Sequence, residues 1–247
     1  EMFDHLIGNG PYSEADAARL MREVASALSF LHGIGICHND LKPENLMLST
    51  KSRNSSIKIV DFGCADVHRN GRFPTNAGCE SLDEFNSDRA GTPGYLPPEA
   101  LDETNPHRHH RDPSTDMWAV GIMLYIMLVG AHPHDLKGRA NDATLRRRIV
   151  SKWYKMQLRG SPLTAHLSPS ALGCIERLLE RDPARRMTAA AMLHDSWIRG
   201  ETASRETIAG SDTRLSKIGT MRSELEARVF RNMVTWSGDD DGGVRFG

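Results

Sequence analysis

The sequence predicts a mainly α fold, a helical bundle carrying short β-hairpins, and three stretches carry that reading. Met117 to Val129 is apolar on every face, the pattern of a helix buried all round or lying in a membrane. Its thirteen residues fall short of the ~20 that a bilayer requires, which leaves the centre of a bundle. Ser13, with Asp16 three residues on, has the pattern of a capping box, and Leu20, Val24, Leu28 and Leu31 follow at helical spacing. Leu46-Met47-Leu48 and Ile57 to Val60 read as two short strands around the polar turn Lys51 to Ser56.

The 247 residues suit one large domain or two small ones, enough to bury a substantial core. A formal net charge of -1 sets up no field toward nucleic acid or anionic lipid, and neither is expected as a partner. Cys37, Cys64, Cys79 and Cys174 form no C-x-x-C pair, so neither a disulfide framework nor a zinc site is indicated. Reduced thiols fit an intracellular protein, cytoplasmic or nuclear. The chain starts at Glu1 and not at a methionine, so an absent targeting segment carries no weight.

In order along the chain, the first helix should run from about Glu14 to His32 and stop at Gly33 and Gly35. Ile36 and Cys37 lead into a polar loop, and the hairpin 46–60 would hold the ends of that loop together. Residues 64–90, rich in Gly, Asn and Ser with acids at Glu80, Asp83, Glu84 and Asp88, read as a long loop. Asp112-Pro113-Ser114 opens the central helix. His107, His109 and His110 are crowded by Arg108 and Arg111, which would repel a metal ion, and read as a solvated loop. Asn141 to Val150 forms a helix whose run Arg146-Arg147-Arg148 reads as a solvated face. Ser168 and Pro169 start the helix Ser170 to Leu179, and Thr188 caps Ala189 to Leu193. From residue 200 the composition turns to Ser, Thr, Gly and charge, a polar tail over 200–247. Within it Met221, Leu225, Val229 and Met233 keep helical spacing among Arg222, Arg228 and Arg231, a candidate regulatory helix about 220–236.

The chemistry concentrates in His38-Asn39-Asp40-Leu41-Lys42-Pro43-Glu44-Asn45 and, sixteen residues past Asn45, in Asp61-Phe62-Gly63. Together and in this order they resemble the catalytic loop and metal-binding turn of a eukaryotic Ser/Thr protein kinase. Phosphoryl transfer leaves a protein little covalent work, so positioning and charge neutralisation dominate. The resemblance implies that Asp40 accepts the substrate hydroxyl proton, that Lys42 lies against the moving phosphoryl group, and that Asn45 and Asp61 hold Mg2+ on the phosphates of ATP. It also implies that Thr92 bonds with Asp40, and that His38, Phe62 and Gly63 support the loop and turn. Gly91-Thr92-Pro93-Gly94-Tyr95-Leu96-Pro97-Pro98-Glu99 resembles the end of an activation segment, with Pro97 in place of the usual alanine. By the same resemblance Glu99 pairs with Arg186, and Asp116, in an Asp-x-Trp pattern with Trp118, bonds to the backbone near His38 and Asn39.

The resemblance covers residues 1–199, in wording nearest the calcium/calmodulin-dependent kinase group, and implies the helical C-terminal lobe of a kinase with the N-terminal β-lobe absent from the chain. Glu1 would then touch the ATP ribose and a substrate arginine, and Met2, Met47 and Met127 would stack beneath the adenine. The surface facing the missing lobe is expected to be apolar around Met2, Met47 and Phe62. Nothing before Glu1 supplies the Gly-rich loop or strand lysine, so the chain as given is expected not to turn over ATP. The alternative is a catalytically inactive kinase-like scaffold; Asp40, Lys42, Asn45 and Asp61, all retained, favour the enzyme. A small-molecule phosphotransferase is disfavoured by Lys42-Pro43, Asp61-Phe62-Gly63 and the 91–99 segment. Asn39 stands where most of the group has an arginine that reads a phosphorylated loop, so control through Thr75, Ser81 or Ser87 is not expected. Expected partners are Ser/Thr protein substrates with arginine upstream of the target, and calmodulin or another regulator at the tail.

Overall fold

The apolar central helix, α4 (Pro113–Val129), is the axis of the fold, with every residue from Thr115 to Val129 buried. The computed structural model describes residues 1–50, 55–67, 91–106, 108, 112–152, 156 and 158–217. Asp112 starts α4 by accepting the Ser114 N–H on its side chain, with Pro113 at the first helical position. Gly130 ends it at φ +75, and a Cβ there would collide with Arg214, so both backbone and space call for glycine.

Before the axis come α1 (Met2–Gly8) and α2 (Glu14–Gly33), the latter opened by the reciprocal Ser13–Asp16 capping box. Strands β1 (Ile36–Cys37) and β4 (Asp66–Val67) pair antiparallel, as do β2 (Leu46–Leu48) and β3 (Ile57–Ile59), in register Leu46↔Ile59. After the short α3 (Pro98–Leu101) and the axis come α5 (Asp142–Val150), α6 (Pro169–Leu178) and α7 (Ala189–Leu193). The axis packs against α2 and α6, and α2 also against α7. Gly121 makes the α6 contact close, since a Cβ there would stand 2.7 Å from Leu179. Trp118, Trp197 and Tyr125 are the largest side chains in this core.

A buried carboxylate fastens the bundle at the start of α2. Glu14, 1% exposed, accepts bonds from Ser168 N and Oγ, Trp197 Nε1 and Ser204 N. Four donors offset the loss of water that would otherwise make a buried charge costly.

Several expectations change. Helix α1 was not anticipated, and Asp66–Val67, expected in the loop 64–90, is a strand edge against β1. Residues expected at the start of the polar tail pack on the lobe: Ala203, Ile208 and Leu215 are buried, and Ile208 N donates to Tyr12 O. The phosphate acceptors Thr75, Ser81 and Ser87, the histidines 107, 109 and 110, and the helix about 220–236 lie outside the described residues. No helix among the described residues is long and apolar enough to cross a membrane.

Candidate active site

The polar loop after β1 is held from below by the axis. Asp116, fully buried in the first turn of α4, accepts the His38 N–H at 2.9 Å and the Asn39 N–H at 2.8 Å. His32, near the end of α2, reaches the same carboxylate at 2.9 Å through Nε2. His38 is itself buried, and its Nδ1 accepts the Asp40 N–H at 3.3 Å. Its proton therefore sits on Nε2, which donates to Val60 O at 2.9 Å. Phe62 lies 5.0 Å from the His38 ring, centre to centre. One imidazole thus ties the loop of Asp40 to the turn of Asp61.

Two residues of the site hold left-handed backbone, Asn39 at φ 65 and Asp61 at φ 63, and no other described non-glycine residue has positive φ. Such positions cost roughly 1–3 kcal/mol each and persist where their surroundings fix them. Asn39 is fixed by Asp116 and by its own amide, which donates to Asp66 Oδ2 at 2.9 Å and Cys64 O at 3.2 Å. Asp61 caps the 3-10 turn Phe62–Cys64 by accepting the Gly63 N–H at 3.3 Å.

Asp40 carries the densest set of contacts. Its Oδ1 accepts Thr92 N and Thr92 Oγ1, both at 2.8 Å, and Lys42 Nζ stands 3.0 Å from Oδ2. Lys42 Nζ also donates to Thr92 Oγ1 at 3.3 Å. Burial pushes the Asp40 carboxyl up, but the Thr92 bonds and the Lys42 ammonium outweigh it and hold the group below the usual carboxylate range. Asp40 is therefore an anion at neutral pH. Thr92 comes this close because Gly91 precedes it: a Cβ on Gly91 would lie 2.5 Å from Asn39 O.

Asn45 ends the 3-10 turn Pro43–Asn45. Its Nδ2 donates to Asp40 O at 2.7 Å, and its backbone O accepts the Val60 N–H at 3.0 Å. The β2–β3 register therefore puts Asn45 and Asp61 at the same end of the hairpin. With Nδ2 committed, Asn45 offers an amide oxygen and Asp61 an exposed carboxylate. Two hard oxygen donors suit a divalent cation that takes its remaining ligands from phosphate and water.

Beyond Thr92 the chain makes the 3-10 turn Pro93–Tyr95 and enters α3. Glu99 meets Arg186 in a two-pronged pair, 2.7 and 3.1 Å, with the arginine side chain fully buried. Arg186 also donates to Ser114 O at 2.9 Å, which links this segment to the start of the axis.

The expected apolar stack divides. Met47 is 38% exposed, and Val60 and Phe62 are exposed too, but Met2 is 0% and Met127 1% exposed. Met2 is thus core under β2, on which α1 packs, and not surface. Glu1 is exposed at the start of α1. Sequence reasoning missed His32, whose helical position gave no sign of a partner 84 residues on.

The chain is similar to known proteins along most of its length. The protein kinase domain family matches residues 1–198. Human (Homo sapiens) calcium/calmodulin-dependent protein kinase type 1B is 37% identical over 212 residues, covering 85% of this chain and 54% of that protein. The Rattus norvegicus protein of that name is 36% identical over the same shares. Serine/threonine-protein kinase PKZ1 of Phytophthora infestans is 34% identical over 216 residues, 80% of this chain and 48% of that protein. The chain spans about half the length of the curated relatives it matches.

Proposed function

The chain belongs to the protein kinase family, in its calcium/calmodulin-dependent group of Ser/Thr kinases, and from that premise we propose that it transfers the γ-phosphate of ATP to Ser and Thr hydroxyls of proteins. The observation that carries this reading is Asp40, an anion fixed by Thr92 and Lys42 at the mouth of the loop. Asp40 orients the substrate hydroxyl and takes its proton. Lys42 keeps positive charge beside the carboxylate and the incoming phosphoryl group. Asn45 and Asp61 would hold Mg2+, which neutralises phosphate charge when bound.

Met47 would lie against the adenine, with Met2 and Met127 buried in the core. Met47, Val60 and Phe62 are exposed apolar side chains, which we read as surface that an N-terminal lobe covers when the nucleotide is enclosed. We divide the chain into a catalytic lobe, 1–199, and a regulatory tail, 200–247, with calmodulin as the candidate regulator because the mammalian relatives carry it in their names. Glu1 and Glu44 are read as partners for a substrate arginine two or three residues before the target. The buried free thiols of Cys37 and Cys174 support a place inside the cell.

The test uses full-length protein, labelled ATP and Ser/Thr peptides. Asp40→Ala is expected to lower kcat by about 10²–10⁴-fold, the contribution of a positioned proton acceptor. Equal turnover in the variant would refute the assignment. A wild-type protein that transfers nothing would favour the inactive scaffold.

A further inference from the structure

Between α4 and α5 the chain reads Gly130-Ala131-His132-Pro133-His134-Asp135, and its two histidines make contacts that the reading above does not use. His132 Nδ1 accepts the His134 N–H at 3.1 Å. A neutral imidazole carries one N–H, so the proton is on Nε2, which donates to Gly94 O at 2.9 Å. Gly94 is the middle of the 3-10 turn that follows Thr92, closed by Tyr95 N–H on Thr92 O at 2.9 Å. Thr92 in turn holds Asp40.

The ring is itself braced. Tyr95 meets it edge-on at 6.4 Å, and the His134 ring lies 6.0 Å away. His134 stacks on Trp118 at 6.2 Å, and Trp118 carries the Arg186 guanidinium at 5.1 Å. The backbone turn is tied by Asp135 N–H on His132 O at 2.9 Å. A Cβ on Gly94 would stand 3.3 Å from Leu145 of α5 and 3.6 Å from His132 Nε2. The Gly94 peptide is thus packed close to α5 and held by one imidazole N–H.

We propose that His132 is a positioning residue for the protein substrate, fixing the turn 92–95 beside the Asp40 carboxylate at which the target Ser or Thr lies. This rests on the phosphotransfer reading: a target hydroxyl at Asp40 lies beside Thr92, whose N–H and hydroxyl both donate to that carboxylate at 2.8 Å.

Two substitutions in the full-length protein separate hydrogen bonding from packing. His132→Asn carries its amide too near the backbone to reach Gly94, whereas His132→Gln puts an N–H at the distance of Nε2. His132→Asn is expected to raise KM for a peptide substrate about 2–10-fold, the loss of one hydrogen bond. KM for ATP should not move, and His132→Gln should restore peptide KM. An unchanged peptide KM in His132→Asn, an equal rise in both variants, or a parallel rise in KM for ATP would each overturn the proposal. The histidine 15N spectrum of the unmutated protein needs no turnover and no variant. It should show His132 as the Nε2–H tautomer, and the Nδ1–H tautomer would overturn the contact itself. A wild-type protein with the Nε2–H tautomer but no phosphotransfer overturns the functional reading, and the substrate role of His132 with it.

Discussion

Removing the Asp116 carboxylate asks how the loop of Asp40 is held in place. The side chain is fully buried and accepts two backbone N–H groups, from His38 at 2.9 Å and Asn39 at 2.8 Å. Both residues are buried, at 0% and 2% exposure, so water cannot readily replace the lost acceptor. An orphaned buried donor costs about 1–3 kcal/mol, so Asp116→Ala should lose roughly 2–6 kcal/mol from these two amides alone. That is a large share of the roughly 5–15 kcal/mol by which a domain is stable. Asp116→Asn keeps one carbonyl oxygen and turns an NH2 toward the other donor, so it should lose about half as much, roughly 1–3 kcal/mol. Urea unfolding gives the free energies, and hydrogen exchange at the His38 and Asn39 amides localises them. An Ala variant within about 1 kcal/mol of wild type, with both amides still slow to exchange, would refute the reasoning.

Four further outcomes are expected. Glu99→Ala strands the buried Arg186 guanidinium and should destabilise by about 3–5 kcal/mol in urea unfolding; a surface-like loss below 1 kcal/mol, about that of an exposed pair, would contradict the burial. His134 is held at a pKa of about 3 by burial, with His132, Arg181 and Arg148 adding to it, against an ordinary 6.5. As pH falls below 6.5 the unfolded chain therefore takes up the proton first, and stability drains away toward about 3. Between pH 7.5 and 5 this site should remove about 2 kcal/mol, and His134→Phe should flatten the pH profile by that amount; identical profiles would rule the site out. Thr75→Ala, Ser81→Ala and Ser87→Ala combined should leave kcat unchanged, whereas Asp66→Ala should cost roughly 0.5–1.5 kcal/mol by releasing the Asn39 amide. A kcat that collapses in the triple variant, and in phosphatase-treated wild type, would show that a phosphate is read after all.

What was legible in the sequence was local or carried by a long pattern. The Ser13–Asp16 box, the caps at Ser168 and Thr188, and the apolar axis opened by Asp112-Pro113 each announce themselves within a few residues. Strands β1 and β4 do not, because two residues carry no alternation and their pairing depends on where the chain returns 29 residues later. Helix α1 is only seven residues long and lies on β2, so packing rather than periodicity sets it. The burial of Met2 follows from that packing. The bond of His132 to Gly94 spans 38 residues and was invisible for the same reason.

Asn39 shows both sides of this limit at one position. From the sequence its neutral amide reads as the loss of a cation that could meet a phosphate. The structure shows what the amide does instead: it donates to Asp66 Oδ2 and Cys64 O, on the segment just past Asp61. An arginine here would bring a positive charge to Asp66, and a phosphate here would meet that carboxylate's repulsion. Asn39 and Asp66 therefore have to be read as a pair. A neutral donor beside a fixed acid anchors the start of the segment within the chain itself, where a cation would need an added anion to complete it.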